Sequence, residues 1–214
     1  WGAYRPSSIL GGPTKWYYSC MKKDRAYRKS TIPDNATCVF EGVIFDVYQW
    51  EQKLYDGSTT TFEKAARPDT VVIFPVLEDG TIMLIDDEQP GRGPLLCAPA
   101  GRLEERETPE DCARRELKEE TGLEAKEIIL FNEVHPVMKL DWCVYTFIAR
   151  GCRKVEDSHL DPGEKITVHP VSFDELVALP YDERNLDGSI FRQRALEARL
   201  DPQKMEELKK LFFG

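Results

Sequence analysis

The chain has 214 residues, 41% of them hydrophobic, and no long apolar run, so it reads as a soluble globular protein of one large domain or one and a half, without a transmembrane span. A formal charge of −9 argues against a general nucleic-acid binder, and against duplex nucleic acid in particular, while leaving room for a polyphosphate ligand brought in with a metal ion. Six cysteines show neither a C-x-x-C pair nor metal-ligand spacing, and no secretory apolar segment opens the chain. Reduced thiols in a cytoplasmic protein are therefore expected, with Cys112 and Cys143 packed as small apolar residues. His135, His159 and His169 are too scattered for a zinc site and read as surface or structural residues.

In chain order, residues 1–36 form a basic aromatic segment; residues 1–30 carry seven Lys and Arg against the single Asp24, with Trp16-Tyr17-Tyr18 among them. The segment is either an arm docked on the body or on a partner subunit, or a solvated tail. Strand patterns follow: Cys38-Val39-Phe40, then Val43 to Trp50, a turn at Asp56-Gly57, and Thr59 to Phe62, together a small antiparallel sheet. Thr70 to Leu77 and Thr81 to Asp86, joined by Glu78-Asp79-Gly80, make a hairpin rich enough in Val and Ile to enter a core.

Next comes GRLEERETPEDCARRELKEETGL, from Gly101 to Leu123. Thr108 suits an N-cap, Pro109 the first helical position, and Asp111 can bond back to the cap. Gly122 can take the left-handed conformation that ends a helix, which predicts a helix from Pro109 to Thr121. At 100° per residue Cys112, Ala113 and Leu117 share one side, while Asp111, Arg114, Arg115 and Lys118 lie on the other. Glu116, Glu119 and Glu120 do not join the polar side. They fall among Cys112 and Ala113, where three like charges are costly unless a cation binds them. Oxygen-only, carboxylate-rich ligation suits Mg²⁺ or Mn²⁺ rather than zinc. Further strands are expected near Lys126 to Val134, Trp142 to Arg150 and Lys165 to Pro170, and two helices at Ile190 to Leu200 and Pro202 to Phe212. Mixed strands with helices on both sides imply an α/β/α sandwich.

The spacing G-x5-E-x7-R-E-U-x-E-E-x-G-U, with U aliphatic, resembles the Nudix box at every defining position. A chance match is on the order of one in ten million at ordinary residue usage. The resemblance implies a Nudix α/β/α sandwich with a mixed sheet, preceded by a small N-terminal antiparallel β subdomain, and hydrolysis of a nucleoside diphosphate linked to another moiety by water attack on phosphorus. It implies Glu116 and Glu120 as principal metal ligands, the carbonyl of Ala100 as another, Glu119 as a further ligand or water-positioning group, Arg115 as the group that orients the acids, and Glu107 in the outer metal shell or tying loop to helix. The order of elements is similar to the ADP-ribose pyrophosphatase branch, over about residues 37–180. That branch implies three parts: the arm 1–36, a β subdomain 37–66 used in dimerisation, and a Nudix domain 67–214. A homodimer and a nucleoside diphosphate sugar substrate follow as expectations, ADP-ribose first.

Substrate-side candidates are less sharply marked. Arg67 precedes the hairpin. Arg92 either replaces the branch's phosphate-binding arginine or sits in a plain surface turn, Gly91-Arg92-Gly93. Adenine stacking can come from Trp50, Tyr48 or Trp142, although aromatics on strands more often pack in a core. Asp141 closes the loop after Pro136, which lacks the branch's glycine and final glutamate. The general base in this branch comes from a mobile acidic loop outside the box. Glu164, directly before the strand at Ile166, matches best, with Glu156, Asp157 and Asp161 as rivals and an acidic surface loop without a role as the alternative. Another nucleotide substrate, a dinucleotide or nucleoside triphosphate, is the second enzymatic reading. A nucleotide-sensing domain without activity is the third; the complete set of carboxylates speaks against it, and residues 1–36 carry no helix-turn-helix signature.

Overall fold

A computed structural model describes residue 25, residues 27–160, residue 163, residues 165–179 and residues 190–214. Among the described residues two sheets carry the fold. The first contains β1 (Thr37–Glu41), β2 (Asp46–Lys53) and β3 (Thr59–Ala66), paired antiparallel in sequence order. β2 starts three residues later than its apolar run suggests. Gly42 accounts for this: its amide donates to Asp46 Oδ1 at 3.3 Å, and a Cβ there would stand 2.5 Å from the Phe45 carbonyl oxygen, so the chain bends where only glycine fits.

The second sheet is built on β4 (Thr70–Leu77), which pairs antiparallel with β5 (Ile82–Gln89) and β7 (Ala100–Arg102). β6 (Arg92–Cys97) pairs with β5, and Gly91, at φ +84°, turns the chain between them. The helix α1 spans Pro109–Thr121, at the predicted bounds. β8 (Leu123–Glu124) and β9 (Glu127–Val134) follow, and then β10 (Leu140–Asp141), which returns to the first sheet parallel to β3. β11 (Val144–Lys154) runs parallel to β4 and antiparallel to β9, so the sheet is mixed. β12 (Lys165–Val171) closes it against β5, before α2 (Phe173–Ala178), α3 (Ile190–Leu200) and α4 (Pro202–Phe213).

The period of two along β4 and β11 sets the layers. Val71, Ile73, Tyr145, Phe147 and Ala149 meet Cys112, Ala113 and Leu117 of α1. Phe74, Val76 and Ile148 face the opposite way, with Ile82 and Leu84, onto Leu176, Phe191, Ala195, Leu208 and Phe212 of the other three helices. Strands apolar on both faces need helices on both faces, and the α/β/α sandwich results.

The described end of the N-terminal segment is docked. Tyr27 meets Tyr145 edge-on, with ring centroids 6.0 Å apart, and Ile32 is buried beside Tyr48 and Ala66. One cysteine expectation fails: Cys38 is disulfide-bonded, whereas Cys112, Cys143 and Cys152 are thiols buried in the core. An even cysteine count without local spacing carries no information on pairing between distant segments. Among the described residues no helix is long and apolar enough to cross a membrane.

Candidate active site

The site begins with a helix start that the sequence specifies in full. Thr108 lies in the extended region, its hydroxyl accepts from the Asp111 amide at 3.2 Å, and it meets the Asp111 carboxylate at 2.6 Å. Gly122, at φ +67°, stops the helix, and its amide donates to the Lys118 carbonyl. Between these caps α1 lays Leu117 into the core, a burial of about 1.5–3 kcal/mol. The rotation that buries Leu117 brings Glu116 and Glu120 to the edge of β7.

Two contacts fix that approach. The Ala100 amide donates to Glu120 Oε2 at 3.1 Å, and Glu120 is only 8% exposed. A Cβ on Gly101 would stand 1.8 Å from both Cδ and Oε1 of Glu116, so the Glu116 carboxylate occupies the space that a side chain would need. Register places Ala100 opposite Val72 and Gly101 opposite Val71, which holds this cradle against the central strand.

The helical wheel puts Arg115 on the outer face, yet its side chain curls back over the acids. Nε and Nη2 donate to the two oxygens of Glu107, each at 2.9 Å, and Nη1 donates to Glu116 at 2.7 Å and Glu119 at 3.0 Å. Nη2 also donates to the Arg102 carbonyl at 3.1 Å. Arg115 therefore joins three of the box carboxylates to the loop. Burial works against its charge, but its bonds to Glu107 and the proximity of Glu116 outweigh that and raise its pKa. Burial likewise raises Glu107, and the Arg115 guanidinium and the Glu104 amide outweigh it, holding the carboxyl below its usual range. Glu119 is the outermost member, its side chain 46% exposed.

The donor set is all oxygen. The two glutamates Glu116 and Glu120 meet the Ala100–Gly101 strand edge at contact distance, which fits Mg²⁺ or Mn²⁺ and would not suit zinc. Arg115 brings its positive charge to Glu107, Glu116 and Glu119 of this carboxylate group.

The remaining candidates divide by position. Arg67 is buried, its guanidinium 4.7 Å from the Trp142 ring centre and 5.7 Å from that of Phe45; burial, then the Arg102 charge, lower its pKa. It is therefore a neighbour of the box loop. Arg92 pairs with Asp87 across the β5–β6 hairpin at 2.5 Å. Trp50 packs edge-on to Phe62 on the first sheet, and its Nε1 donates to Gln52 at 3.0 Å. Asp141 is fully buried, and its carboxylate accepts from Arg28, Ser30 and Thr31. Its place is in a structural ion network, because the docked arm covers it.

Glu164 and Asp161 lie outside the described residues. Glu156 lies 3.5 Å from Lys118, on the helix face opposite Glu116 and Glu120, and 3.8 Å from His159. The loop that carries it is nevertheless tied to α1, since the His159 amide donates to the Glu119 carbonyl at 2.8 Å and the Val155 amide to the Gly122 carbonyl at 3.0 Å. Arg102 is a site neighbour that the sequence reading missed. Its signal was its place directly after Gly101, which has no periodic signature. The three histidines do stay apart, but His135 meets Glu133 and Cys143 at the junction of β9 and β11.

The NUDIX domain family matches residues 66–193. The chain is 29% identical over 144 residues to the ADP-ribose pyrophosphatase of Bacillus subtilis (strain 168), covering 66% of this chain and 78% of that protein. It is 26% identical over 154 residues to the methanol dehydrogenase activator of Bacillus methanolicus, covering 70% and 83%. Among solved structures, an ADP compounds hydrolase has the same fold, with a TM-score of 0.63 at 21% identity over 86% of this chain and 95% of that one. With the capped helix, its arginine-bound carboxylates and a family match over more than half its length, the chain belongs to the Nudix hydrolase family.

Proposed function

We propose that the protein hydrolyses the pyrophosphate linkage of a nucleoside diphosphate sugar, ADP-ribose to AMP and ribose 5-phosphate. The observation that carries this reading is the convergence of Ala100, Glu107, Arg115, Glu116, Glu119 and Glu120 on one helix and strand edge. Its likeness to an ADP-ribose pyrophosphatase supports the choice of sugar.

In this reading Ala100, through its carbonyl, and Glu116 and Glu120 would hold Mg²⁺ or Mn²⁺, with Glu107 in the outer shell. Such an ion would supply charge neutralisation at the phosphates and a more acidic water. Arg115 keeps the acids in place, because its bonds to Glu107, Glu116 and Glu119 leave each one orientation. Glu119, the most exposed of the set, positions water. Glu164 is proposed as the base that takes the water proton. The water oxygen bonds to one phosphorus, the bridging oxygen leaves with the other phosphate, and two phosphomonoesters result. Arg67 is assigned to substrate phosphate, a reading supported by its nearness to the charge of Arg102 in the box loop.

We propose that the working form is a homodimer through the first sheet, where Val39, Phe40 and Val43 are exposed, Val43 at 83%.

The test is phosphate release, after adding phosphatase, from ADP-ribose, ADP-glucose, GDP-mannose, NADH, diadenosine polyphosphates and nucleoside triphosphates, with Mg²⁺ and with Mn²⁺. Selective turnover of ADP-ribose is expected. Turnover of a dinucleotide or triphosphate alone would reassign the substrate. Nucleotide binding without any turnover would replace hydrolysis by sensing.

A further inference from the structure

We propose a second cation site, for a borderline-soft divalent ion of the Zn²⁺ class, formed by Glu133, His135 and Cys143. Its ligands come from other elements than the box helix.

The placement follows from strand pairing. Glu133 and His135 are two residues apart at the end of β9 and so share one face. Antiparallel register sets Glu133 opposite Tyr145 and Val134 opposite Val144. One step further along that register brings Cys143 beside His135. One ligand atom from each of Glu133, His135 and Cys143 lies within 4.8 Å of the others. Ligands at 2.0–2.3 Å from a tetrahedral ion stand roughly 3.3–3.8 Å apart. Closure therefore needs shifts of about 1 Å, which the exposed Glu133 and His135 side chains can make by rotation while the buried Cys143 stays fixed.

Cys143 is fixed through its backbone. Its amide donates to Asp69 Oδ1 at 2.8 Å, and its carbonyl accepts from Thr70 at 3.0 Å. A second, independent feature points to a ligand. Nδ1 of His135 is 3.0 Å from the Trp142 carbonyl oxygen. A carbonyl only accepts, so Nδ1 carries the proton and the lone pair lies on Nε2. That is the tautomer control found behind metal-bound histidines. Thiolate, imidazole and carboxylate together select Zn²⁺ or Co²⁺ over Mg²⁺, and three protein ligands leave a position for water.

The ion would clamp the loop between β9 and β11. Trp142 stands in that loop, with its ring against Arg67 and its Nε1 bonded to the Thr70 hydroxyl at 2.9 Å. Occupancy would therefore steady the platform on which Arg67 rests.

The test is titration of the full chain with Co²⁺ in excess Mg²⁺, read as cysteine-thiolate-to-cobalt charge-transfer absorption in the near ultraviolet. Saturation at one equivalent is expected, with loss of the absorption in Cys143→Ser and affinity at least about tenfold weaker in the exposed variants His135→Ala and Glu133→Gln. Glu120→Gln is expected to leave the signal unchanged. Absence of the absorption in the wild type, or its full persistence in His135→Ala, would overturn the proposal. Because Cys143 is buried and its replacement can disturb folding, the two exposed variants decide the matter.

Discussion

Gly101 shows how one missing side chain shapes the box. An alanine Cβ there would overlap the Glu116 carboxylate, the movable end of a flexible side chain, while the backbone conformation of Gly101 is not left-handed. Gly101→Ala is therefore expected to spare the fold and displace Glu116. The expected outcome is a Tm within a few degrees of wild type with Mn²⁺ affinity at least about tenfold weaker, measured by calorimetric titration. Glu120→Gln removes a ligand charge but keeps the bond from the Ala100 amide. Turnover of the wild-type substrate is expected to fall about 10²-fold or more with unchanged circular dichroism. Turnover at the wild-type level in this variant would sink the assignment of Glu120 as a ligand.

At the scale of the element, α1 was legible from end to end because each boundary rests on a local cap whose chemistry involves a few neighbouring residues. Gly122 goes further than ending the helix. A Cβ there would stand 2.1 Å from the Glu156 carbonyl oxygen, and backbone cannot rotate away as a side chain can. Gly122→Ala combines that overlap with a left-handed conformation costing about 1–2 kcal/mol. A Tm loss of roughly 4 °C or more is expected by scanning calorimetry. β6, β7, β8, β10 and α2 were not anticipated. All five are short, and β10 has two residues whose strand character comes from pairing with Ala65 and Ala66. α2 carried a readable signal that went unread: Ser172 and Glu175 form a capping box.

The whole molecule is tied together by a buried ionic cluster. Arg25 and Arg28, from the N-terminal segment, pair with Asp69 before β4 and Asp141 in β10, with contacts of 2.7–3.4 Å. The cluster thus joins segment, first sheet and second sheet. Removing one partner of a buried pair leaves the other charges uncompensated, so Asp141→Asn is expected to cost about 3–5 kcal/mol in urea unfolding. Burial raises Asp141, but bonds from Ser30 and Arg28 outweigh it and hold its pKa below the ordinary 3.8. A folded pKa below the unfolded one gives stability that is present above 3.8 and lost as pH falls through the folded value. Glu107 behaves alike against its ordinary 4.5. Asp69 runs the other way: burial pushes it up, so its contribution is present below 3.8, is lost as pH rises through its folded value, and partly offsets the acid loss. Calorimetry from about pH 6 to 3 is expected to show Tm falling below about pH 4.5, with a shallower slope in Asp141→Asn. The proposed dimer is also testable at this scale: Phe40→Ser with Val43→Ser is expected to turn a dimer into a monomer by light scattering.

The sequence by itself determined the box helix, its caps, the carboxylates that depart from its polar side and the alternating strands of both layers. All of these rest on periodicity or on contacts a few residues apart, and such information is written locally. Tertiary structure decided the rest. Arg115 sits on the outer side of a helical wheel, yet its long side chain reaches inward because Glu107 and the Arg102 carbonyl wait there. Asp141 reads as a loop residue open to substrate, and becomes a buried anchor once Arg28 and Ser30, more than a hundred positions away, fold onto it. Glu133, His135 and Cys143 have no metal spacing, and only antiparallel pairing of β9 with β11 brings them together. Pairing between distant segments depends on which apolar faces bury one another, a choice that no local window of the chain contains.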